Sequence, residues 1–196
     1  MSPASGVRYP LFLDLRARRV LVVGGGPVAL EKARELVAHG AELRVVSPEL
    51  RPELSTLAAE VHLRAFEPSD VDDAYFVVAA APPPVNREVR RAAEARARFV
   101  VAVDDVESCT AYGAARLVRG GISVAISSDG RAPALVALLR RAIEAVLPEE
   151  LEAWTAIAEA KRGEWKDQGI PFVERRPLLL RALAELYDAP GSEVRS

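Results

Sequence analysis

The sequence predicts an α/β protein built on a doubly wound parallel sheet, and three observations carry that expectation. Short apolar runs alternate with helix-spaced segments through the first half of the chain. The first of these runs, Arg19 to Val23, ends on three consecutive glycines. A helical pattern then opens directly behind them, with Val28, Ala29, Ala33, Leu36 and Val37 on one face and Gly40 where a left-handed cap belongs. The Arg-Val-Leu-Val-Val run is apolar without alternation, as a strand covered on both faces requires. Leu43 to Val46 reads as the second strand, Val61 to Ala65 as a weaker third and Tyr75 to Ala80 as the fourth. A charged amphipathic helix follows over Val85 to Ala97, entered through Pro82, Pro83 and Pro84, and Phe99 to Val103 supplies a fifth strand. Strands and helices in this order give a Rossmann-like sheet.

The rhythm changes after Asp105. Ala114 to Val118 and Ile122 to Ser127 flank Arg119-Gly120-Gly121 and read as a hairpin or extended arm. Pro133 to Leu147 is a helix whose apolar residues cover more than one buried stripe, the pattern of a subunit interface. Two further helices are expected over Glu150 to Lys166 and Pro177 to Tyr187, with a frayed polar tail from Ala189. The expected organisation is a nucleotide-binding domain over 1–113, a dimerisation region over 114–147 and a small helical domain over 148–196.

Composition narrows the function. Of 196 residues 50% are hydrophobic, enough for a packed core. A net charge of −2 supplies no excess positive field, so nucleic acid is not an expected partner. One cysteine, Cys109, and two histidines, His39 and His62, exclude an internal disulfide and a Cys/His zinc site. No apolar run reaches the roughly 18 residues that span a bilayer, and the expectation is a soluble protein of the cytoplasm.

Gly24-Gly25-Gly26-Pro27-Val28-Ala29 matches G-x-G-x-x-A in the strand-turn-helix setting that gives the pattern its meaning. Gly24 serves the tight turn, Gly26 lets a pyrophosphate approach the backbone, Ala29 allows close packing, and Pro27 and Val28 open the helix at the phosphates. A dinucleotide usually finds a carboxylate about 20 residues on, at the end of the second strand. Here that position holds Ser47-Pro48-Glu49, so selection of NAD rests on Glu49 reaching back, with Arg44 and Arg51 as the alternative for a 2′-phosphate.

The fifth strand delivers Asp104 and Asp105 to the same sheet edge, and position alone leaves open which of them faces a cofactor. The loop Gly24 to Ala29 with Glu31-Lys32-Ala33, Val85-Asn86, Val103-Asp104 and Ser127-Ser128-Asp129-Gly130-Arg131-Ala132-Pro133 together resemble the precorrin-2 dehydrogenase family, the N-terminal part of siroheme synthases. The resemblance runs from Tyr9 to near Pro148, with Ala80-Ala81-Pro82 standing where the family pattern has Ala-Ala-Thr-Asp. It implies NAD-dependent oxidation of precorrin-2 to sirohydrochlorin by a homodimer, with Fe²⁺ insertion in some members. It also implies that Asp104, not Asp105, takes part in the chemistry, with Ala80 beside the cofactor. The expected role is proton acceptance, with partial burial raising the carboxyl pKa toward the working range. Arg116, Arg119 and Arg131, with the Ser127 and Ser128 hydroxyls, are the candidates for the carboxylates of the tetrapyrrole. Cys109 and both histidines are expected to be spectators. The competing reading from another class is a regulatory domain that binds NAD(H) and signals its state without turnover.

Overall fold

The computed structural model describes residues 8–129 and 131–188; Gly130 and the 189–196 tail lie outside the described residues. The chain forms two compact units, divided between Gly113 and Ala114.

In the first unit β1 (Arg19–Val23), β2 (Glu42–Val46), β3 (Glu60–His62), β4 (Phe76–Ala79) and β5 (Phe99–Ala102) form one sheet in the order β3-β2-β1-β4-β5. Every pairing is parallel. The connections are α1 (Pro27–Ala38), α2 (Pro52–Leu57), a 3-10 turn at Pro68–Val71 and α3 (Pro83–Glu94). Because side chains alternate along a strand, the sheet has two apolar faces, and each is covered. Leu21, Val23, Val77, Ala79 and Val100 pack with Val89, Ala92 and Ala93 of α3. Val20, Val22, Val45 and Val78 pack with Ala29, Leu30 and Ala33 of α1 and Leu54 of α2. Each fully buried valine contributes about 1.5–3 kcal/mol by leaving water, so the glycine-rich edge is carried on a stiff platform.

Register decides what that edge presents. Val23 stands level with Val46 and Ala79, and Ala79 with Ala102. The next residues, Gly24, Ser47, Ala80 and Val103, therefore emerge together at the carboxyl end of the sheet. Strand order reverses between β2-β1 and β4-β5, so the crevice of a doubly wound fold opens between β1 and β4.

Three elements differ from expectation. The third strand is shorter and begins earlier, at Glu60, and ends at His62; just beyond it the Arg64 guanidinium bonds Asp70. The short helix α2 was not foreseen; six residues carry too little periodicity to stand out, although Pro52 at its first position is a start signal. The last helix begins at Phe172, not Pro177, since a proline five residues past the start removes a single ladder hydrogen bond.

Asp70 is 5% exposed and accepts both Arg64 guanidinium nitrogens, at 2.9 and 2.5 Å, and the Glu67 amide at 2.8 Å. Burial alone would push its carboxyl up; the Arg64 guanidinium and the Glu67 amide outweigh that and hold it below the ordinary 3.8. A carboxyl lowered on folding stabilises above its unfolded value and loses that contribution as pH falls through the folded value. Asp70→Ala is thus expected to cost about 1–3 kcal/mol at pH 7 and less at about pH 2, further down the range over which a lowered carboxyl loses its contribution. Urea unfolding of both proteins at the two pH values checks it; an equal cost at both would contradict it.

The second unit pairs β6 (Ala115–Arg119) with β7 (Ile122–Ile126) as an antiparallel hairpin. Gly120 and Gly121 hold its turn at φ +52° and +76°, the paired left-handed conformation that a tight hairpin needs. Three helices follow, α4 (Pro133–Val146), α5 (Leu151–Asp167) and α6 (Phe172–Asp188). The Thr155 hydroxyl donates to the Gly120 carbonyl at 2.6 Å and the Trp154 indole to the Tyr187 hydroxyl at 3.1 Å, tying hairpin to α5 and α5 to α6.

Candidate functional site: the glycine edge of the first unit

Each glycine after β1 has a different reason to be there. Gly24 sits at φ +124°, and a Cβ on it would lie 2.2 Å from the Ala80 carbonyl oxygen. A Cβ on Gly25 would lie 1.9 Å from the Glu49 carbonyl oxygen. Gly26 is in extended backbone at φ −82°, and nothing lies within 4 Å of where its Cβ would be. The first two glycines are demanded by the fold itself. The third keeps open a space that the protein leaves unfilled.

That space is at the start of α1. Gly26 caps the helix without any side-chain hydrogen bond, Pro27 takes the first helical position, and no acidic residue stands in the first turn. The first amides of a helix have no acceptor within it, so those of Val28 and Ala29 present a positive end to a ligand. The Gly25 carbonyl accepts the Arg51 amide at 3.0 Å, which stitches the loop to the segment after β2. Between them lies an open groove of about 740 Å³ lined by Gly25, Gly26, Glu49, Leu50, Arg51, Pro52 and Glu53. An anion-accepting helix end beside an open groove suits a pyrophosphate with a nucleoside on one side.

Ser47, Pro48 and Glu49 separate in role. Ser47 is buried and donates its hydroxyl to the Glu49 carbonyl at 2.6 Å, so it shapes the turn. Pro48 and Glu49 are exposed, and Glu49 lines the groove. Arg51 lines it as well, whereas Arg44 is held by Glu60 and Asp73, each at 2.7 Å, away from any ribose role. Leu50, Pro52 and Glu53 also line the groove without any local sequence signal to single them out; Pro52 and Glu53 arrive with α2 and Leu50 with the segment before it.

On the other side of the crevice the Ala80 amide donates to the Val23 carbonyl at 2.8 Å, extending the ladder past the strand end. Asn86, 1% exposed, accepts the Ala81 amide on its side-chain oxygen at 3.1 Å. The Asn86 amide therefore fixes the Ala80-Ala81-Pro82 backbone against which Gly24 is packed. Replacing Asn86 with Leu leaves a buried N–H unpaired, at about 1–3 kcal/mol, and is expected to lower the melting temperature and weaken NAD binding together. Asn86→Asp keeps the acceptor. Because a carboxylate at this 1% exposed position carries a burial cost of its own, calorimetric titration of the folded variants with NAD should rank the Asp variant above the Leu variant; identical losses in both would contradict the positioning role.

The two aspartates are distinguished by their surroundings. Asp105 accepts the Ser108 amide at 3.3 Å and so caps the short 3-10 turn behind it. Asp104 is exposed and has φ +56°, a left-handed conformation that Asp tolerates at some cost. The expected partial burial of Asp104 is therefore not found: it sits in the turn just past Val103, whose amide bonds the Ala79 carbonyl at 2.9 Å, and projects from the edge into solvent. Two strand spacings, about 10 Å, separate β5 from β1 along this edge. Cys109 is buried beneath it, its thiol between the backbone N–H and carbonyl of Ala102, both at 3.2 Å. Burial pushes that thiol up, away from thiolate chemistry. His39 bonds the Glu35 carbonyl and His62 the Glu60 carboxylate, each at 2.7 Å.

In the second unit the remaining candidates are spread over a hairpin and a turn. Arg116 is exposed on β6. Arg119 donates to the Leu147 carbonyl at 2.5 Å and closes the end of α4. Ser127 accepts the Asp129 amide at 3.0 Å and Ser128 the Ala132 amide at 2.9 Å, so both hydroxyls organise the approach to α4. Arg131 is 81% exposed and lies 3.7 Å from Asp129.

A family model described as "Putative NAD(P)-binding" matches residues 11–115, more than half of the chain and nearly all of the described first unit. The chain belongs to that family. The glycine edge is accordingly the edge of an NAD(P)-binding domain, and the residues present fit the dinucleotide: two glycines close the turn and the third leaves the phosphate path clear. A second model, described as "Sirohaem biosynthesis protein central", matches residues 119–145. A siroheme synthase of Zymomonas mobilis is 37% identical over 86% of this chain. Siroheme synthase 1 of Cronobacter sakazakii is 44% identical over 76% of it. This chain spans 37% and 33% of those two relatives, about a third of each. Among solved structures, one titled SirC, precorrin-2 dehydrogenase, aligns with a TM-score of 0.70 at 24% identity, over 89% of this chain and 88% of that one. The fold is therefore shared from the parallel sheet into the C-terminal helices. No helix among the described residues is long and apolar enough to cross a membrane.

Proposed function

We propose that this NAD(P)-binding chain is an NAD-dependent precorrin-2 dehydrogenase, oxidising precorrin-2 to sirohydrochlorin in siroheme biosynthesis, in the cytoplasm and as a homodimer. The observation that carries the reading is the pairing, on one sheet edge, of a phosphate-accepting glycine loop with an uncommitted carboxylate, Asp104, in a strained backbone conformation. Similarity to siroheme synthases, found over most of this chain, supports the choice of substrate.

Bound across the crevice, NAD supplies the hydride acceptor. The chain does the rest. The amides opening α1 hold the pyrophosphate, and Glu49 meets the ribose hydroxyls from the groove wall. Oxidation of the ring-bridging carbon of precorrin-2 breaks one C–H bond with loss of hydride and releases one proton. The Asp104 carboxylate accepts that proton; its exposure in this chain leaves it accessible to substrate. Arg116 and Arg131 supply charge for the substrate's acetates and propionates, with Arg119, Ser127 and Ser128 holding the hairpin and turn that carry them.

The homodimer is supported by α4, where Leu135, Leu138, Leu139 and Val146 are exposed, Leu138 at 63%. Leu138→Glu should yield a monomer in sedimentation velocity, while a dimer of unchanged affinity would remove this face from the interface.

The test of the function is direct. Protein mixed anaerobically with precorrin-2 and NAD should produce NADH absorbance and the sirohydrochlorin spectrum in equal amounts. Absence of both, with NAD binding intact, would favour the regulatory reading.

A further inference from the structure

A second pocket lies wholly within the C-terminal helices, and its lining is chemically unusual. Arg162 and Trp165, three apart on α5, face Phe172, Arg175, Arg176 and Leu179, the i, i+3, i+4, i+7 stripe of α6. On a two-helix hairpin that stripe is where apolar packing belongs. Here it carries two arginines at its centre, a third faces them from α5, and no carboxylate lines the pocket. The volume is about 550 Å³, the size of a small-molecule site.

The polar groups in it are left open. Arg175 is committed through Nε to the Ile170 carbonyl at 2.9 Å. Arg162 and Arg176 make no hydrogen bond or ion pair among the described residues. Trp165 is 9% exposed; its indole N–H has no acceptor among the described residues and is not among the buried unpartnered atoms, so it opens to solvent, whereas Trp154 on the same helix donates to Tyr187. Phe172, at the mouth, is 84% exposed. Two free guanidiniums, an indole donor open to the pocket and two aromatic faces in one concavity ask for an anionic ligand with a flat apolar body. In a chain of net charge −2, general attraction for anions does not account for such a concentration.

We propose that the α5–α6 pocket is a binding site for a conjugated ring compound bearing several carboxylates. Resting on the dehydrogenase reading above, we identify that compound as a tetrapyrrole polycarboxylate. The ring lies against Trp165 and Phe172, Arg162 and Arg176 each take a carboxylate in fork geometry, and the indole N–H donates to one of them. It is a site additional to the glycine edge and contains none of its residues.

Coproporphyrin III, which carries four carboxylates and gives the dehydrogenase no reaction, is the probe. In the full chain carrying Trp154→Phe, Trp165 is the sole tryptophan, and its emission should be quenched saturably by the porphyrin. Adding Arg162→Gln and Arg176→Gln, both at exposed positions, should weaken that binding at least tenfold with helical circular dichroism unchanged. Phe172→Ser should weaken it independently. Inorganic phosphate, an anion without a ring, should neither quench nor compete. Quenching that is indifferent to the two arginines, or porphyrin displaced by millimolar phosphate, overturns the proposal, as does loss of the pocket to self-association at the concentrations used. The dehydrogenase reading fails separately, by lack of NADH from precorrin-2; arginine-dependent porphyrin binding surviving that result would leave the pocket standing and reassign only its natural ligand.

Discussion

Asp104→Asn is expected to abolish precorrin-2 oxidation while leaving NAD affinity and stability where they were. Asparagine adopts the left-handed conformation as readily as aspartate, so the φ of +56° at this position costs the variant no more than it costs the native chain. The carboxylate is exposed and takes no part in a structural cluster, and its loss should leave the melting temperature within a degree or two. What disappears is the proton acceptor, an effect of roughly 10²–10⁴ in turnover. Asp105→Asn supplies the contrast. That side chain accepts the Ser108 amide at 3.3 Å, and its replacement should be felt in stability, by up to about 1 kcal/mol, with turnover per folded molecule near wild type. A regulatory domain would show no such asymmetry, since it has no proton to remove. Steady-state NADH formation and calorimetric NAD titration on the two variants read both halves; an Asp104→Asn protein with wild-type turnover would end the catalytic role.

Gly24→Ala and Gly26→Ala should fail in opposite ways. At Gly24 the added methyl meets the Ala80 carbonyl oxygen at 2.2 Å in a backbone conformation that L residues rarely adopt, so β1 and β4 must part at the crevice. A cost of about 2–4 kcal/mol is expected from overpacking and backbone strain, a drop of roughly 4–16 °C in melting temperature for a chain of this size. At Gly26 the methyl enters open space from an ordinary φ, and stability should be unchanged. It then occupies the path of the pyrophosphate, and NAD affinity should fall at least tenfold. Were the loop only a connector between strand and helix, Gly26→Ala would be silent in both measurements. Thermal unfolding with and without NAD distinguishes these outcomes in one experiment.

The parts of this protein that were legible in its sequence are those where one physical constraint acts alone. Arg19–Val23 reads as a doubly buried strand because nothing polar interrupts it, and the boundaries in the structure agree. The three glycines announce a turn, but sequence cannot show that Gly25 is excluded by the Glu49 carbonyl while Gly26 faces nothing; that requires the segment after β2 to be in place. α2 stayed hidden because its six residues are set by packing of Leu54 against the sheet more than by local periodicity. Pro177 suggested a helix start, whereas the structure shows it carried inside a longer helix. Asp104 and Asp105 were inseparable by spacing; the capping bond to Ser108 and the positive φ distinguish them. Asn86 entered only as part of a resemblance, and its role in pinning Ala81 appears once α3 is folded against β4.

The account stands on one geometry, and a crystal structure of the chain with NAD measures it. The pyrophosphate should lie over Gly26 at the start of α1, with the nicotinamide ring crossing from β1 toward β5 and its reactive face open to the Asp104 carboxylate across a gap that one substrate carbon can fill. A dinucleotide bound elsewhere, or a nicotinamide turned away with Asp104 on the far side of the edge, would contradict it.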